Sequence, residues 1–245
     1  LHISGELGYF NYTYFYFGQG PEEGLEENME SYQTKFPRLR LKGYQALGKN
    51  HFLGASLGGD YFDMVRFDSI EGNLFKENTY GIEGGGVYSM GICYKFDSRK
   101  QVYFPLKADL ITLDLEHYFG DYSFQRFTSS WAHYQPLGKG IWASQLYYEQ
   151  GIGTIPFFAL PFLGGGKLFR AYTRKQVRSQ AVAGIQQEYR SAPILFNRLR
   201  AVAFASYGYD WENSIQWNKP RWAIGTGLRF CLDTENQVFM RVDYG

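Results

Sequence analysis

Apolar and polar residues alternate with a period of two along most of the chain, the spacing of strands that present their two faces to different surroundings. The alternation predicts about eleven strands, near residues 3–17, 32–46, 51–65, 79–96, 103–118, 123–136, 140–153, 180–191, 198–211, 221–232 and 237–244. The fourth is the clearest: Tyr80, Ile82, Tyr88, Met90, Ile92, Tyr94 and Phe96 share one face, while Thr79, Gly81, Glu83, Gly85, Ser89, Gly91 and Lys95 share the other. The tenth repeats the scheme, with Trp222, Ile224, Leu228 and Phe230 opposing Gly225, Gly227 and Arg229. Several of these runs exceed the usual globular strand and match the roughly 9–11 residues of a tilted membrane-spanning one.

The connections carry a second regularity. Long links at Gly18 to Ser31, Arg66 to Asn78, 154–179 and 212–220 alternate with short turns at Leu47 to Asn50, Asp97 to Gln101, Pro136 to Lys139, Ala192 to Asn197 and Asp233 to Asn236; Phe119 to Tyr122 is the exception. Membrane barrels have short turns at one rim and long loops at the other, whereas a soluble sandwich, the alternative, has no reason to keep that order. The expected fold is therefore all-β, an antiparallel transmembrane β-barrel forming one domain over residues 1–245. Single-chain bacterial barrels close with an even strand count. An odd count, and a last run from Phe239 to Gly245 that stops in mid-pattern, lead us to expect a barrel incomplete at both ends.

Composition agrees with that picture. Aromatics make up 19% of the chain, with 21 Tyr, 21 Phe and 5 Trp beside 29 Gly, a barrel-like rather than a helical usage. No apolar run reaches the ~18 residues of a membrane helix, and Leu1-His2-Ile3-Ser4-Gly5 reads as strand rather than as a secretory signal. The mean hydropathy of −0.36 is what alternating strands average to. A formal charge of +1, from 25 basic and 24 acidic residues spread along the chain, leaves no electrostatic footprint for nucleic acid. Cys93 and Cys231 form neither a metal-type spacing nor a disulfide framework.

The stretch richest in chemistry is Leu163-Gly-Gly-Gly-Lys-Leu-Phe-Arg170-Ala-Tyr172, inside the longest link. Gly164, Gly165 and Gly166 give the backbone access to positive φ, and Phe169, Arg170, Ala171 and Tyr172 place one cation between two aromatics. A guanidinium carried into a barrel lumen loses hydration and needs a charged partner. Glu188 qualifies, because Gly184, Gln186, Glu188 and Arg190 alternate with Ala183, Ile185 and Tyr189, which puts its carboxylate on the polar face of the next strand.

This string, together with Tyr94-Lys-Phe-Asp97-Ser98-Arg99, Phe104-Pro105-Leu-Lys107-Ala108, Tyr134 to Leu137, Glu188-Tyr189-Arg190 and the closing Arg241-Val242-Asp243-Tyr244-Gly245, resembles in order the C-terminal part of the BamA or bacterial surface antigen superfamily of outer-membrane proteins. The resemblance implies a sixteen-stranded barrel, of which this chain supplies strands five to fifteen, with a lid loop whose arginine bonds acids on the following two strands. It further implies a place in the cell outer membrane of a Gram-negative bacterium or an organelle equivalent. The implied partners are the lipid bilayer, client outer-membrane proteins and accessory assembly subunits. Two residues depart from the family pattern. Ala171 stands where the family has glycine, which withholds a positive-φ turn there, and Ser206 stands where it generally has an acid, so that Glu188 and Ser206 form the expected lid-anchoring wall.

Other candidates read more plainly. Gly164 to Gly166 is followed by neither a helix pattern nor Lys-Ser/Thr, so it is not a phosphate cradle. Asp97-Ser98-Arg99 reads as a capped hairpin turn, and Glu22, Glu23, Glu26, Glu27 and Glu30 as a solvated external loop rather than a cation site. Arg198, Arg200 and Arg229 fall on inferred lumen faces, where they balance acids such as Asp210 and Asp243. His117 lies on the apolar face, His133 lacks an orienting acid, and His2 and His51 have no partner in view. No catalytic residue, metal site or cofactor is therefore expected. Two functions follow from the resemblance: insertion or translocation of membrane proteins through a lateral seam without covalent chemistry, or passive service as a membrane anchor or pore.

Overall fold

The computed structural model describes residues 1–21, 24, 29–68, 79–166, 168–194, 198–233 and 238–245. Among them, eleven strands form one antiparallel sheet: β1 (His2–Tyr16), β2 (Glu30–Gly48), β3 (His51–Asp68), β4 (Gly84–Asp97), β5 (Ala108–Gly120), β6 (Phe124–Leu137), β7 (Gly140–Ile152), then, beyond the two short strands β8 (Phe162–Leu163) and β9 (Val177–Arg178), β10 (Ala181–Arg190), β11 (Leu199–Trp211), β12 (Arg221–Asp233) and β13 (Val238–Tyr244). The sheet is a plain up-and-down meander, β1 through β7 followed by β10 through β13. β8 and β9 pair only with each other. No α-helix occurs among the described residues, and no helix is long and apolar enough to cross a membrane, which says nothing of crossing by strands.

The expected strands agree with the observed ones within a few residues except at two starts. β4 begins at Gly84 rather than near residue 79, because Thr79 to Gly84 turns: Ile82 N–H donates to Thr79 O and Gly84 N–H to Gly81 O, both at 3.0 Å, with Gly81 at φ 94° and Gly84 at φ 78°. β5 begins at Ala108 rather than near 103, since Pro105 has no N–H for a ladder. The acidic run Glu22, Glu23, Glu26 and Glu27 lies outside the described residues; Glu30 opens β2 and is buried.

The sheet is rolled. In a flat sheet the eight steps from β1 to β11 would span ~38 Å at roughly 4.8 Å per strand. Gln19, three residues past β1, nevertheless donates from Nε2 to Oε1 of Glu212, the residue after β11, at 2.9 Å. At the other rim Phe104, ahead of β5, packs against Phe239 of β13 with ring centroids 4.7 Å apart and the rings tilted by 34°. Lys42 of β2 reaches Asp114 of β5 at 2.6 Å across two intervening strands. Only strong concave curvature brings these groups together. β1 and β13 are the sheet's two edges, paired with β2 and β12 alone among the described residues.

Curvature sorts the alternating side chains. The convex face carries Leu39, Leu41, Leu53, Leu57, Met90, Ile92, Leu113, Leu115, Ile224 and Leu228, all exposed, with Ile92 at 62% and Ile224 at 65%. The concave face carries the buried Thr34, Ser56, Asp60, Glu149, Gln186, Glu188, Asp210 and Arg229. A soluble sandwich packs its apolar face against a second sheet; this chain turns that face outward. Cys93 and Cys231 are free and buried.

Small residues keep the concave side passable. A Cβ on Gly54 of β3 would stand 2.2 Å from the carbonyl oxygen of Gly43 on β2 and 2.8 Å from the Tyr44 ring. Gly54→Ala is expected to lower the unfolding free energy by about 1–3 kcal/mol, the usual cost of overpacking, read as a shift in denaturation midpoint with unchanged slope.

Candidate functional site

The link from β7 to β10 does not loop outward but lies along the concave face, and its sequence explains why. Pro156-Phe157-Phe158 starts a short 3-10 turn, Phe157–Ala159, whose rings enter an aromatic cluster with Tyr16, Tyr32, Tyr118, Tyr122 and Phe124. Phe158 lies 4.4 Å from Phe62 between ring centroids, and Phe157 lies 5.0 Å from Tyr32. The β8–β9 pair then carries the chain out and back, and Leu163, Phe169 and Val177 form a second buried cluster with Val182 of β10 and Ala223 of β12. Burying Phe157, Phe158, Leu163, Phe169 and Val177, at about 1.5–3 kcal/mol each, stabilises the docked segment by roughly 8–15 kcal/mol before the entropy of ordering it is set against that.

The tip is a compact turn. Gly165 N–H donates to Tyr172 O and Tyr172 N–H to Phe169 O, each at 3.0 Å. Gly164 and Gly165 use positive φ, 107° and 112°; a Cβ on Gly164 would meet the Thr173 carbonyl at 2.4 Å. Gly166 presents its carbonyl to the Arg241 guanidinium of β13. The left-handed turn that Ala171 withholds is made at Phe169 instead, at φ 54°. That conformation costs about 1–2 kcal/mol in a residue with a Cβ. Burial of the ring offsets it: Phe169 is wholly inaccessible and rests on Gly184 and Gly208, which face each other across β10 and β11 and whose missing side chains make the recess.

Next to this anchor, Arg170 enters a buried charge network. Its guanidinium pairs with the Glu188 carboxylate, lies 3.5 Å from Asp243 Oδ2 and stacks 4.8 Å over the Phe204 ring. Glu188 is shared with Arg190 and, at 3.7 Å, with Arg229, which also pairs with Asp243. Three guanidinium groups thus meet two carboxylates in a site closed to bulk water, where each charge depends on the others. Ser206 is not part of it: its hydroxyl donates to Gln186 Oε1 at 3.0 Å. The second acid for Arg170 comes instead from β13. Tyr172 hydroxyl donates to the Trp222 carbonyl at 3.1 Å, adding a tie to β12.

Two anchors escaped sequence reasoning. Arg178, 2% exposed, donates to the carbonyls of Lys175 (3.0 Å), Phe157 (3.4 Å) and Phe15 of β1 (2.9 Å) and lies over the Tyr16 ring. Gln176 Nε2 donates to Gly24 O at 3.0 Å, the far side of the roll. An arginine in a β-prone Val-Arg pair gives no sign of acting through carbonyls. The Pro-Phe-Phe run inside a link was the available signal that the segment is buried.

Other candidate residues fall as follows. Asp97 caps its turn, accepting from Arg99 N–H at 3.1 Å and pairing with the Arg99 guanidinium at 2.8 Å. Arg198 is exposed in the turn before β11, not on the concave face; Arg200 donates to Ser191 O at 3.1 Å; Asp210 pairs with Arg221 at 2.8 Å. His133 does have an orienting acid, Asp109, 2.8 Å away and opposite it in register, and Trp131 Nε1 donates to the same oxygen at 2.9 Å. Ser144, opposite His133 on β7, donates its hydroxyl away to Gln187 at 2.6 Å. His51 bonds the Tyr94 hydroxyl at 2.8 Å. Among the described residues no group of three His, Cys, Asp or Glu is placed to hold a metal ion.

Neither a family model nor a curated protein matches the chain.

Glu188→Gln removes the acid on which three arginines converge. A loss of about 3–5 kcal/mol in stability is expected. The lid should open first, so trypsin should cut at Arg174 faster in the variant than in the parent while the strands stay resistant. Equal cutting rates would show that the lid is held by packing alone.

Proposed function

We propose that this chain forms the wall of an outer-membrane β-barrel of the surface-antigen type, and that the barrel serves insertion or translocation of other membrane proteins. The observation that carries the membrane reading is the rolled sheet's inversion of the soluble pattern, with exposed leucine, isoleucine and methionine on the convex side and ion pairs on the concave side. Strands of 13 to 19 residues, as in β2 to β7, exceed the length needed to cross a ~30 Å hydrocarbon layer at a tilt. The superfamily reading rests on the ordered motifs and on an arginine-tipped lid meeting Glu188.

The insertion reading needs no catalytic residue. It needs sheet edges able to accept a client strand, and β1 has a strand neighbour, β2, on one side only among the described residues. Passive service as an anchor is the second reading, favoured by the departures at Ala171 and Ser206. Service as an open pore is disfavoured by a lid that occupies the interior with two apolar clusters.

A lysine at Ile92, in mid-strand on the convex face, separates the membrane reading from a soluble one. Ile92→Lys should cost about 2–4 kcal/mol of folding stability in lipid vesicles. In a soluble protein an exposed residue would change by less than about 0.5 kcal/mol. For the task itself, depletion of the intact protein in cells should lower the amounts of several unrelated outer-membrane proteins together. Unchanged amounts would leave the anchor.

A further inference from the structure

Between the lid and the inner wall of β1 to β6 lies a cavity of about 100 Å³, away from the Arg170 network. Its lining includes Arg38, Arg40, Arg126 and Lys175, with Asp60 the one carboxylate among the lining residues. That carboxylate is already shared, pairing with Arg38 at 2.7 Å and Arg40 at 2.5 Å. Arg126 lies 3.2 Å from Glu149, yet its Nε makes no aligned hydrogen bond; Arg40 Nε likewise has no acceptor.

Lys175 is the most exceptional member. Its ammonium donates to Phe158 O at 3.1 Å and lies 5.2 Å from the centre of the Tyr14 ring, and among the described residues no carboxylate pairs with it. Its backbone stands at φ 65°, a conformation that disfavours a side chain with a Cβ. Removal from water, and then the cations Arg178, Arg174, Arg126 and Arg38, push it well below the ordinary lysine range. Strained backbone and unpaired buried cations of this kind cluster at sites where a ligand supplies the missing charge.

We propose that this cavity binds a small tetrahedral oxyanion, phosphate or sulfate, or the phosphomonoester head of a lipid, between Lys175 of the lid and the guanidinium groups of Arg40 and Arg126 on the wall. The free volume is enough for one such group. The Arg40 Nε–H, which has no acceptor, and the Lys175 amine, protonated as the anion binds, supply charge-assisted hydrogen bonds to its oxygens. Bound there, the anion would cross-link lid and wall at the opposite end from Glu188. This holds whichever task the barrel performs.

The test is calorimetric titration of the purified protein, folded in a zwitterionic detergent, with inorganic phosphate and, separately, with a short-chain phosphatidate. Parallel titrations use Lys175→Gln, Arg40→Gln and, as a control cation outside the cavity, Arg200→Gln. Saturable binding at one site per chain is expected, weakened about tenfold or more by Lys175→Gln and by Arg40→Gln, and unaltered in Arg200→Gln. Binding of phosphate alone identifies a free anion; binding of phosphatidate alone identifies a lipid head. Either supports the site. No saturable binding of either, or equal weakening by Arg200→Gln, overturns it. Circular dichroism and a heat-shift gel on each variant confirm folding, and with two substitutions on different elements, one misfolded variant leaves the other to decide.

Discussion

The concave face of this sheet is closed to bulk water, and the rest of the structure follows from that constraint. Side chains alternate, so each strand must commit one face outward and one inward. The outward face is apolar and, in the proposed setting, meets lipid. The inward face is polar and, once the sheet rolls, is cut off from bulk solvent. Polar groups enclosed in this way must find partners among themselves. That requirement accounts for Lys42 reaching Asp114 across two strands, for Arg38 and Arg40 sharing Asp60, and for three arginines converging on Glu188 and Asp243.

The lid is the second half of the same solution. Its apolar residues, Phe157, Phe158, Leu163 and Phe169, fill the roll where wall residues are aromatic or small, and its polar residues go where the wall offers charge or carbonyls. Phe169 and Arg170 show how tightly the two are coupled. The recess over Gly184 and Gly208 admits the ring only if the backbone turns left-handed at Phe169, and the next side chain is thereby aimed at Glu188. A glycine at residue 171 is unnecessary because the turn is made two residues earlier.

Much of this was legible in the chain. Eleven strands and the place of Glu188 on a polar face follow from alternation alone, since a period of two fixes a side chain's face once the strand is placed. Starts at Gly84 and Ala108 were not legible, because turn geometry at Gly81 and the missing N–H of Pro105 override the apolar pattern that runs through them. Asp243 as a partner of Arg170 was hidden for another reason. It lies 73 residues away, and only the curvature of the sheet brings β13 over the lid tip. Ser206 shows the converse: the resemblance put it beside Glu188 in the lid-anchoring wall, but its hydroxyl is taken by Gln186. His133 illustrates the same limit, since register between β5 and β6 supplies the Asp109 that no local pattern announced.

The Arg178 guanidinium bonds the carbonyl of Phe15, 163 residues earlier. Neighbouring strands of a meander meet through local hairpins, which form early because closing a short loop costs little entropy. The Arg178 bond has no geometry until β1 and β10 already stand on opposite sides of a finished roll. The lid's bond to β1 is therefore a late contact, one that forms only after the sheet has curved.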